Sequence, residues 1–159
     1  MGHPKPALSS ADPKPHLRTF SRSLPMTLLR ARETLVALFR PVLGCHDLTE
    51  QQWRVLRFLA ENGPARPSDV SVATKIHVSS LSRIMSALRA RGLISRAEDS
   101  GDMRAVLVSI TARGKGLVCE IGPELERVYE EIEKTIGRED SETLTLLAGR
   151  IETAFRDDG

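Results

Sequence analysis

Small polar side chains and one arginine share the outward face of a helix that the sequence predicts from Val78 to Arg91. That face carries Ser79, Arg83, Ser86 and Ala90, with Ser82 beside it and Ser80 in the same serine-rich run. Short side chains let a helix backbone approach the DNA major groove, where hydroxyls and a guanidinium bind phosphates or base edges. Serines on a helix face are also common as plain solvated surface. The element after the helix therefore decides between DNA binding and plain surface.

A hairpin is predicted directly after this helix. Residues Ile94–Glu98 and Ala105–Ile110 alternate as short strands, and the loop between them ends next to Arg104. An arginine projected beside a recognition helix can enter the minor groove and read its width. Asp102 lies two residues earlier and can hold that guanidinium by a bidentate pair. A lone hairpin arginine is usually solvated, but its position after the serine-bearing helix favours DNA binding.

Three predicted helices precede the hairpin. Thr49 and Gln52 form a capping box that opens one helix, which closes at Asn62-Gly63-Pro64. A short helix runs from about Pro67 to Thr74, and only about three residues separate it from the helix that begins at Val78. The order of helices and hairpin is that of a winged helix-turn-helix. The predicted fold class is mainly α with a small β-hairpin wing.

Aliphatic stripes continue on both sides of this unit. They contain Leu28, Leu35, Phe39 and Val42 before it, and Leu117, Val118, Ile121, Leu125, Val128 and Ile132 after it, then Leu144, Leu147, Ala148, Ile151 and Phe155. Thr111 is expected to cap the helix after the hairpin. Gly122-Pro123 is expected to kink that helix or break it.

Composition excludes several classes of protein. The chain has 159 residues, 40% hydrophobic and 28% charged, with a net charge of +2, which is ordinary for a folded domain. Its two cysteines are too few for a disulfide scaffold, and no apolar run reaches membrane length. These features predict a soluble, cytoplasmic protein. Residues 1–22 are proline-rich without a hydrophobic period, which is typical of a flexible arm.

The chain from about Ser23 to Phe155 resembles the MarR family of winged-helix transcriptional regulators. The wing pattern Asp99-x-x-Asp102-x-Arg104, followed by Val108-Ser109-Ile110-Thr111 and Gly114, carries this resemblance. Within the family, three further stretches are similar to the homoprotocatechuate-degradation (HpaR-type) regulators. They are SLPMTLLRARE (Ser23–Glu33), FRPVL (Phe39–Leu43) and LTEQQWRVLR (Leu48–Arg57).

The resemblance implies a homodimeric repressor that binds double-stranded DNA. Residues 23–47 and 112–159 would hold the dimerisation helices, and residues 48–111 the DNA-binding domain. Two winged helices would straddle one palindromic operator whose half-sites lie about 10 bp apart. The aliphatic stripes fit this organisation, because they exceed what a small winged helix alone needs to bury.

The resemblance also implies a pocket for a small aromatic carboxylate, such as an arylacetate, between the dimerisation helices and the winged helix. Such a pocket needs an apolar slot and a cation. The candidate ligand-binding residues are Arg30, Arg40, His46, Trp53 and Arg54, with Arg32 nearby. The alternative is that Trp53 is a core residue and that most of these arginines are solvated charges.

Three alternatives to ligand sensing differ in how far the residues support them. Cys45 lies beside His46, which could lower the thiol pKa and make Cys45 a redox switch. Cys45, His46 and Asp47 are adjacent, which is poor geometry for a metal site, so no metal is expected. The sequence lacks phosphate-loop, HExxH and GxSxG motifs, which argues against an enzyme and against a bound cofactor.

Overall fold

The computed structural model describes residues 19–98 and 106–155. A 3-10 turn, Phe20–Arg22, leads into helix α1, Leu24–Cys45. The remaining elements are α2 (Glu50–Asn62), α3 (Pro67–Thr74), α4 (Val78–Ala90), β1 (Ile94–Glu98), β2 (Val106–Ile110), α5 (Ala112–Ile136) and α6 (Arg138–Ala154). Most of the predicted amino-terminal arm and the wing-tip residues Asp102 and Arg104 lie outside the described residues. The mainly α fold with a two-stranded wing is confirmed.

The predicted capping box sets the start of α2. The Gln52 backbone N–H donates to the Thr49 hydroxyl at 3.2 Å, and the Thr49 N–H donates to the Gln52 side chain at 2.9 Å. The helix ends at Gly63, whose φ of 76° is a conformation that glycine adopts without strain. The inward face of α2 is fully buried at Val55, Leu56 and Leu59.

Helices α3 and α4 are joined by a tight turn, as the helix-turn-helix prediction requires. Lys75 adopts a left-handed conformation with φ of 53°, which ends α3. Ser71 donates its hydroxyl hydrogen to the Ile76 carbonyl at 2.6 Å, and Ile76 itself is buried. Because both ends of the turn are fixed, α4 begins at a defined angle to α3.

The wing strands β1 and β2 pair antiparallel, with Ile94 opposite Ile110 and Arg96 opposite Val108. Backbone hydrogen bonds in both directions also join Ala65 to Val108, at 3.0 and 2.8 Å. The segment between α2 and α3 is thereby tied to the hairpin. The base of the wing is therefore held to the same core as α4.

One buried aliphatic cluster packs these elements together. Its members are Leu43, Leu48, Trp53, Val55, Leu56, Leu59, Val70, Ile76, Leu81, Leu88, Leu93, Ile94, Val108, Ile110, Ile121 and Leu125. Nearly all the elements from the end of α1 to α5 contribute to it. The helix-turn-helix, the wing base and the middle of α5 thus share a single core.

Helix α5 continues through Pro123, so the break expected at Gly122-Pro123 is wrong, while a kink there stays a prediction. Proline forfeits one backbone hydrogen bond and crowds the preceding turn. Ile121 and Leu125 lie on either side of it and are 0% and 3% exposed. Burial of these two side chains on the core stabilises the helix across a residue that would end an isolated one. As predicted, Thr111 caps α5, accepting the Gly114 N–H at 3.1 Å.

Helix α6 presents an apolar face that the single chain leaves uncovered. Leu144, Leu147 and Ile151 on this face are 58%, 46% and 37% exposed. The segment before residue 35 has exposed leucines of its own, at Leu24, Leu28 and Leu29. None of the described helices is long and apolar enough to cross a membrane.

Candidate nucleic-acid interface and effector cleft

The predicted recognition face of α4 is solvent-exposed along its length. Ser79, Ser80, Ser82, Arg83 and Ser86 are all exposed, while Leu81 and Leu88 on the opposite face are fully buried. The buried leucines fix the rotation of α4, because turning the helix would withdraw them from the core. The structure therefore brings the described DNA-binding candidates together on one face. Asp102 and Arg104 belong to the part of the wing outside the described residues.

Two valines at the start of this face were not anticipated. Val72 in α3 and Val78 in α4 are 70% and 66% exposed and line one open hollow with Lys75 and His77. Neither valine belongs to the buried core of the described residues. On a recognition helix, such residues are suited to contact with thymine methyl groups. The signal in the sequence was the position of Val78 at the first turn of the helix.

The far end of α4 is anchored to the turn between α1 and α2. Arg91 donates through Nη1 to the Asp47 carbonyl at 2.6 Å and through Nη2 to the His46 carbonyl at 3.0 Å. Asp47 itself has a φ of 53°, in the left-handed region. This backbone conformation sets the direction of the carbonyl that accepts from Arg91. Both ends of α4 are therefore held to neighbouring elements.

The predicted ligand-binding residues do not share one site. Arg30 donates to the Ser21 carbonyl at 2.6 Å, within the segment that ends at Thr34. Arg40 is exposed on α1. His46 is mostly buried, and its Nδ1 and Nε2 lie 3.9 and 3.6 Å from carboxylate oxygens of Glu120 and Glu124 on α5.

Arg54 is committed to packing between α2 and α3. Its Nη1 donates to the Thr74 carbonyl at 2.5 Å, and its Nε lies 2.8 Å from a Glu50 carboxylate oxygen. The contact with Glu50 is an ion pair without the alignment of a good hydrogen bond. These contacts account for Arg54 without a ligand. Of the five candidates, Trp53 is the one that lines a cleft between α2 and α5.

This α2–α5 cleft has a volume of about 190 Å³. Its lining residues are Trp53, Arg57, Ala60, Glu61, Val118, Gly122, Leu125, Glu126 and Tyr129. The Tyr129 ring also contacts Phe39, with ring centroids 4.8 Å apart. The cleft thus combines aromatic walls, an aliphatic floor, one guanidinium and the carboxylates of Glu61 and Glu126, and its volume suits a ligand with one aromatic ring.

Arg57 is the cation of this cleft, and it was not among the residues predicted from the sequence. Its Nε donates to Glu61 at 2.7 Å and its Nη1 to the Tyr129 hydroxyl at 3.3 Å. The hydrogen bond to Glu61 is the main reason that the pKa of Arg57 is raised above its ordinary value, so the side chain stays charged. These two bonds use two of the five N–H donors of a guanidinium. Further donors can therefore reach a carboxylate in the cleft.

The two cysteines are both exposed, and Cys45 is the last residue of α1. The ring nitrogens of its neighbour His46 face carboxylates of α5. No group of three or more metal-binding side chains is found within residues 19–98 and 106–155.

Comparison with known proteins decides the family. The model of the MarR family matches residues 46–105. The HTH-type transcriptional regulator FarR of Neisseria gonorrhoeae is 40% identical over 117 residues, covering 74% of this chain and 80% of that protein. The chain belongs to the MarR family. The homoprotocatechuate degradative operon repressor of Escherichia coli is 35% identical over 125 residues, covering 79% of this chain and 84% of the repressor.

A solved MarR-like structure gives the same result for the fold. The crystal structure of NadR in complex with 4-hydroxyphenylacetate matches with a TM-score of 0.78 and 34% identity, covering 86% of this chain and all (100%) of that one. The resemblance to HpaR-type MarR regulators is therefore confirmed. FarR and the Escherichia coli repressor are transcriptional regulators, which confirms that this MarR-family chain is not an enzyme.

Proposed function

We propose that this protein is a homodimeric repressor that binds a palindromic operator in the cytoplasm and releases it when an aryl carboxylate enters the α2–α5 cleft. The target would be an aromatic-compound catabolic operon. The observation that carries the proposal is the grouping of Trp53, Arg57 and Tyr129 around a cleft of single-ring size. That grouping matches the chemistry of an arylacetate, which combines one ring with one carboxylate.

The cleft contacts support a specific placement of the ligand. The carboxylate pairs with Arg57, which presents a planar fork of donors. The ring packs between Trp53 and Tyr129, where aromatic pairs gain more than their buried area alone. NadR has been solved with 4-hydroxyphenylacetate, an acid of this class. The name of the Escherichia coli relative points to the same chemistry, because homoprotocatechuate is a dihydroxylated arylacetate.

The apolar faces of the terminal helices support the dimer. Two leucines and one isoleucine on the apolar face of α6, Leu144, Leu147 and Ile151, are between 37% and 58% exposed in one chain. Burial of such side chains stabilises association by roughly 25 cal/mol for each Å² removed from water. A second copy of the chain that covers these faces would also place two α4 helices on one duplex.

Helix α5 connects the cleft to the DNA-binding unit. Gly122, Leu125 and Tyr129 of α5 line the cleft, and Glu124 of the same helix lies 3.6 Å from His46. The His46 carbonyl accepts a hydrogen bond from Arg91 at the end of α4. A ligand with higher affinity for one α5 position would shift the population of dimer geometries. The operator would be released when, in the favoured geometry, the spacing of the two recognition helices no longer matches the spacing of the two half-sites.

Arg83→Ala is expected to lower operator affinity and to relax sequence preference. Arg83 is exposed at the centre of the recognition face, where it can bind guanine or phosphate. One lost bidentate base contact costs about 1–3 kcal/mol of discrimination. Affinities for the operator and for single-base variants, measured by fluorescence anisotropy, check this. Equal losses on every sequence would instead identify Arg83 as a phosphate contact.

Arg104→Ala, outside the described residues, is expected to weaken binding broadly and to reduce the salt dependence.

The proposal is tested by footprinting the protein on the DNA upstream of its own gene, together with sedimentation analysis. A protected palindrome of two half-sites and a dimeric protein are the expected results. Protection without symmetry, or a stable monomer on DNA, would contradict the dimeric arrangement.

The redox alternative predicts that peroxide releases the DNA and that Cys45→Ser prevents this release.

A further inference from the structure

A small hollow of about 70 Å³ separates the recognition helix from the wing. Helix α4 contributes Ser82, Ser86 and Arg89 to its wall, and strand β1 contributes Arg96. Ile94 and Val108, which are 3% and 5% exposed, also line it. The hollow is distinct from the α2–α5 cleft, with which it shares no lining residue.

Arg96 occupies a position where strand alternation calls for an apolar residue. It lies two residues after the buried Ile94 and directly opposite the buried Val108, so all three share one face of the hairpin. That face packs towards α4. The guanidinium is therefore placed beside α4, even though Arg96 itself is exposed.

Arg89 reaches the same hollow from the last turns of α4. Of the described residues that line the hollow, two are arginines and none is acidic. Two guanidiniums around one cavity repel each other, and an anion between them removes that cost. Serine hydroxyls of Ser82 and Ser86 add neutral donors on the helix side. This set of donors fits an oxyanion with several acceptor oxygens.

The position of the hollow identifies the anion. In the proposed complex, α4 lies in the major groove and the wing reaches the adjacent minor groove. The strand of DNA that separates these two grooves must then pass between α4 and the hairpin, where the hollow opens. We infer that the hollow binds one phosphodiester of that strand through Arg89 and Arg96. This inference rests on the proposed function, because it requires α4 to enter the major groove.

Such a contact fixes where the helix sits along the duplex. Contacts to phosphate carry no sequence information of their own, but they set the register in which base contacts form. Arg89 and Arg96 come from different elements, so a phosphate bound by both would also fix the distance between helix and wing. Both arginines are therefore positioning residues for base recognition by α4.

The test replaces single operator phosphates by neutral methylphosphonates, one position at a time, and measures binding by fluorescence anisotropy. With the wild-type dimer, one position in each half-site is expected to cost about tenfold or more in affinity. Arg89→Ala and Arg96→Ala should each lose most of that sensitivity at the same position. Each substitution should also lower the slope of log affinity against log salt by about 0.9 per half-site.

Arg127→Ala is the matched control, because Arg127 is also exposed but belongs to α5 outside the hollow. This variant should keep the wild-type sensitivity at every position. If the two alanine variants lost sensitivity at different phosphates, or at none, while specific binding persisted, the inference would be overturned. The proposed function would then still stand. Absence of specific binding by the wild-type protein would overturn the proposed function, and the inference with it.

Discussion

Gly114→Ala is expected to lower the free energy of unfolding by about 3 kcal/mol, the upper part of the range for overpacked sites. A Cβ at this position would lie 2.2 Å from the Leu93 carbonyl oxygen and 2.7 Å from Ile110 Cγ1. The first of these atoms is backbone and cannot rotate away. Relief of the clash would require the first turn of α5 to move off the base of the wing. Urea denaturation at fixed protein concentration measures the loss.

Gly116→Ala is the control for this substitution. It lies two residues further along the same helix, and an added Cβ would meet no atom within 4 Å. Alanine is favoured over glycine inside a helix by roughly 0.5–1 kcal/mol, so this variant should be slightly more stable than wild type. Equal stability of the two alanine variants would show that α5 does not pack closely against the Leu93 carbonyl.

Arg57→Ala is expected to weaken effector binding by about 10- to 150-fold, because it removes a charged hydrogen-bonding partner of the carboxylate. The affinity for operator DNA without effector should stay close to wild type, since Arg57 lines the α2–α5 cleft and does not belong to the exposed face of α4. Calorimetric titration with an arylacetate gives the effector affinity. The concentration needed for DNA release should rise by a similar factor.

Three further variants separate the roles around the cleft. Tyr129→Phe removes the hydroxyl that accepts a hydrogen bond from Arg57 Nη1 and should cost only about 2- to 10-fold in effector affinity. Glu61→Gln should tighten effector binding, because the Glu61 carboxylate that holds Arg57 Nε at 2.7 Å competes with the ligand for the same cation. Arg54→Ala should leave effector affinity unchanged while it lowers stability, since Arg54 joins α2 to α3. Loss of effector binding in Arg54→Ala, with binding retained in Arg57→Ala, would contradict this assignment.

Local signals were sufficient to predict most of the fold. The Thr49–Gln52 capping box defines the start of α2, and Pro67 marks the first residue of α3. Gly92, whose φ is 69°, lies just beyond the end of α4, where glycine commonly ends helices. These features depend on residues within a few positions of each other. The continuity of α5 through Pro123 depends instead on burial of Ile121 and Leu125 against distant elements, which local propensity does not contain.

The lining of the α2–α5 cleft was predictable only in part. Trp53 was among the candidate residues, but the arginines proposed with it included its neighbour Arg54 and not Arg57. On a helix, adjacent residues point about 100° apart, whereas residues four positions apart share a face. That rule selects Arg57 once Trp53 is known to line the cleft. Tyr129 comes from α5, 72 residues from Arg57, and no local pattern brings the two together.

The central claim is that an aryl carboxylate releases this protein from its operator, and fluorescence anisotropy on the DNA upstream of its own gene tests it most directly. The DNA–protein complex, at fixed salt, is titrated with a panel of arylacetates that includes 4-hydroxyphenylacetate. We predict that at least one of them dissociates the wild-type complex, and that Arg57→Ala needs about 10-fold more of the same acid. Tight binding that no arylacetate affects, but that peroxide abolishes in the wild type and not in Cys45→Ser, would contradict the claim and identify Cys45 as the sensor.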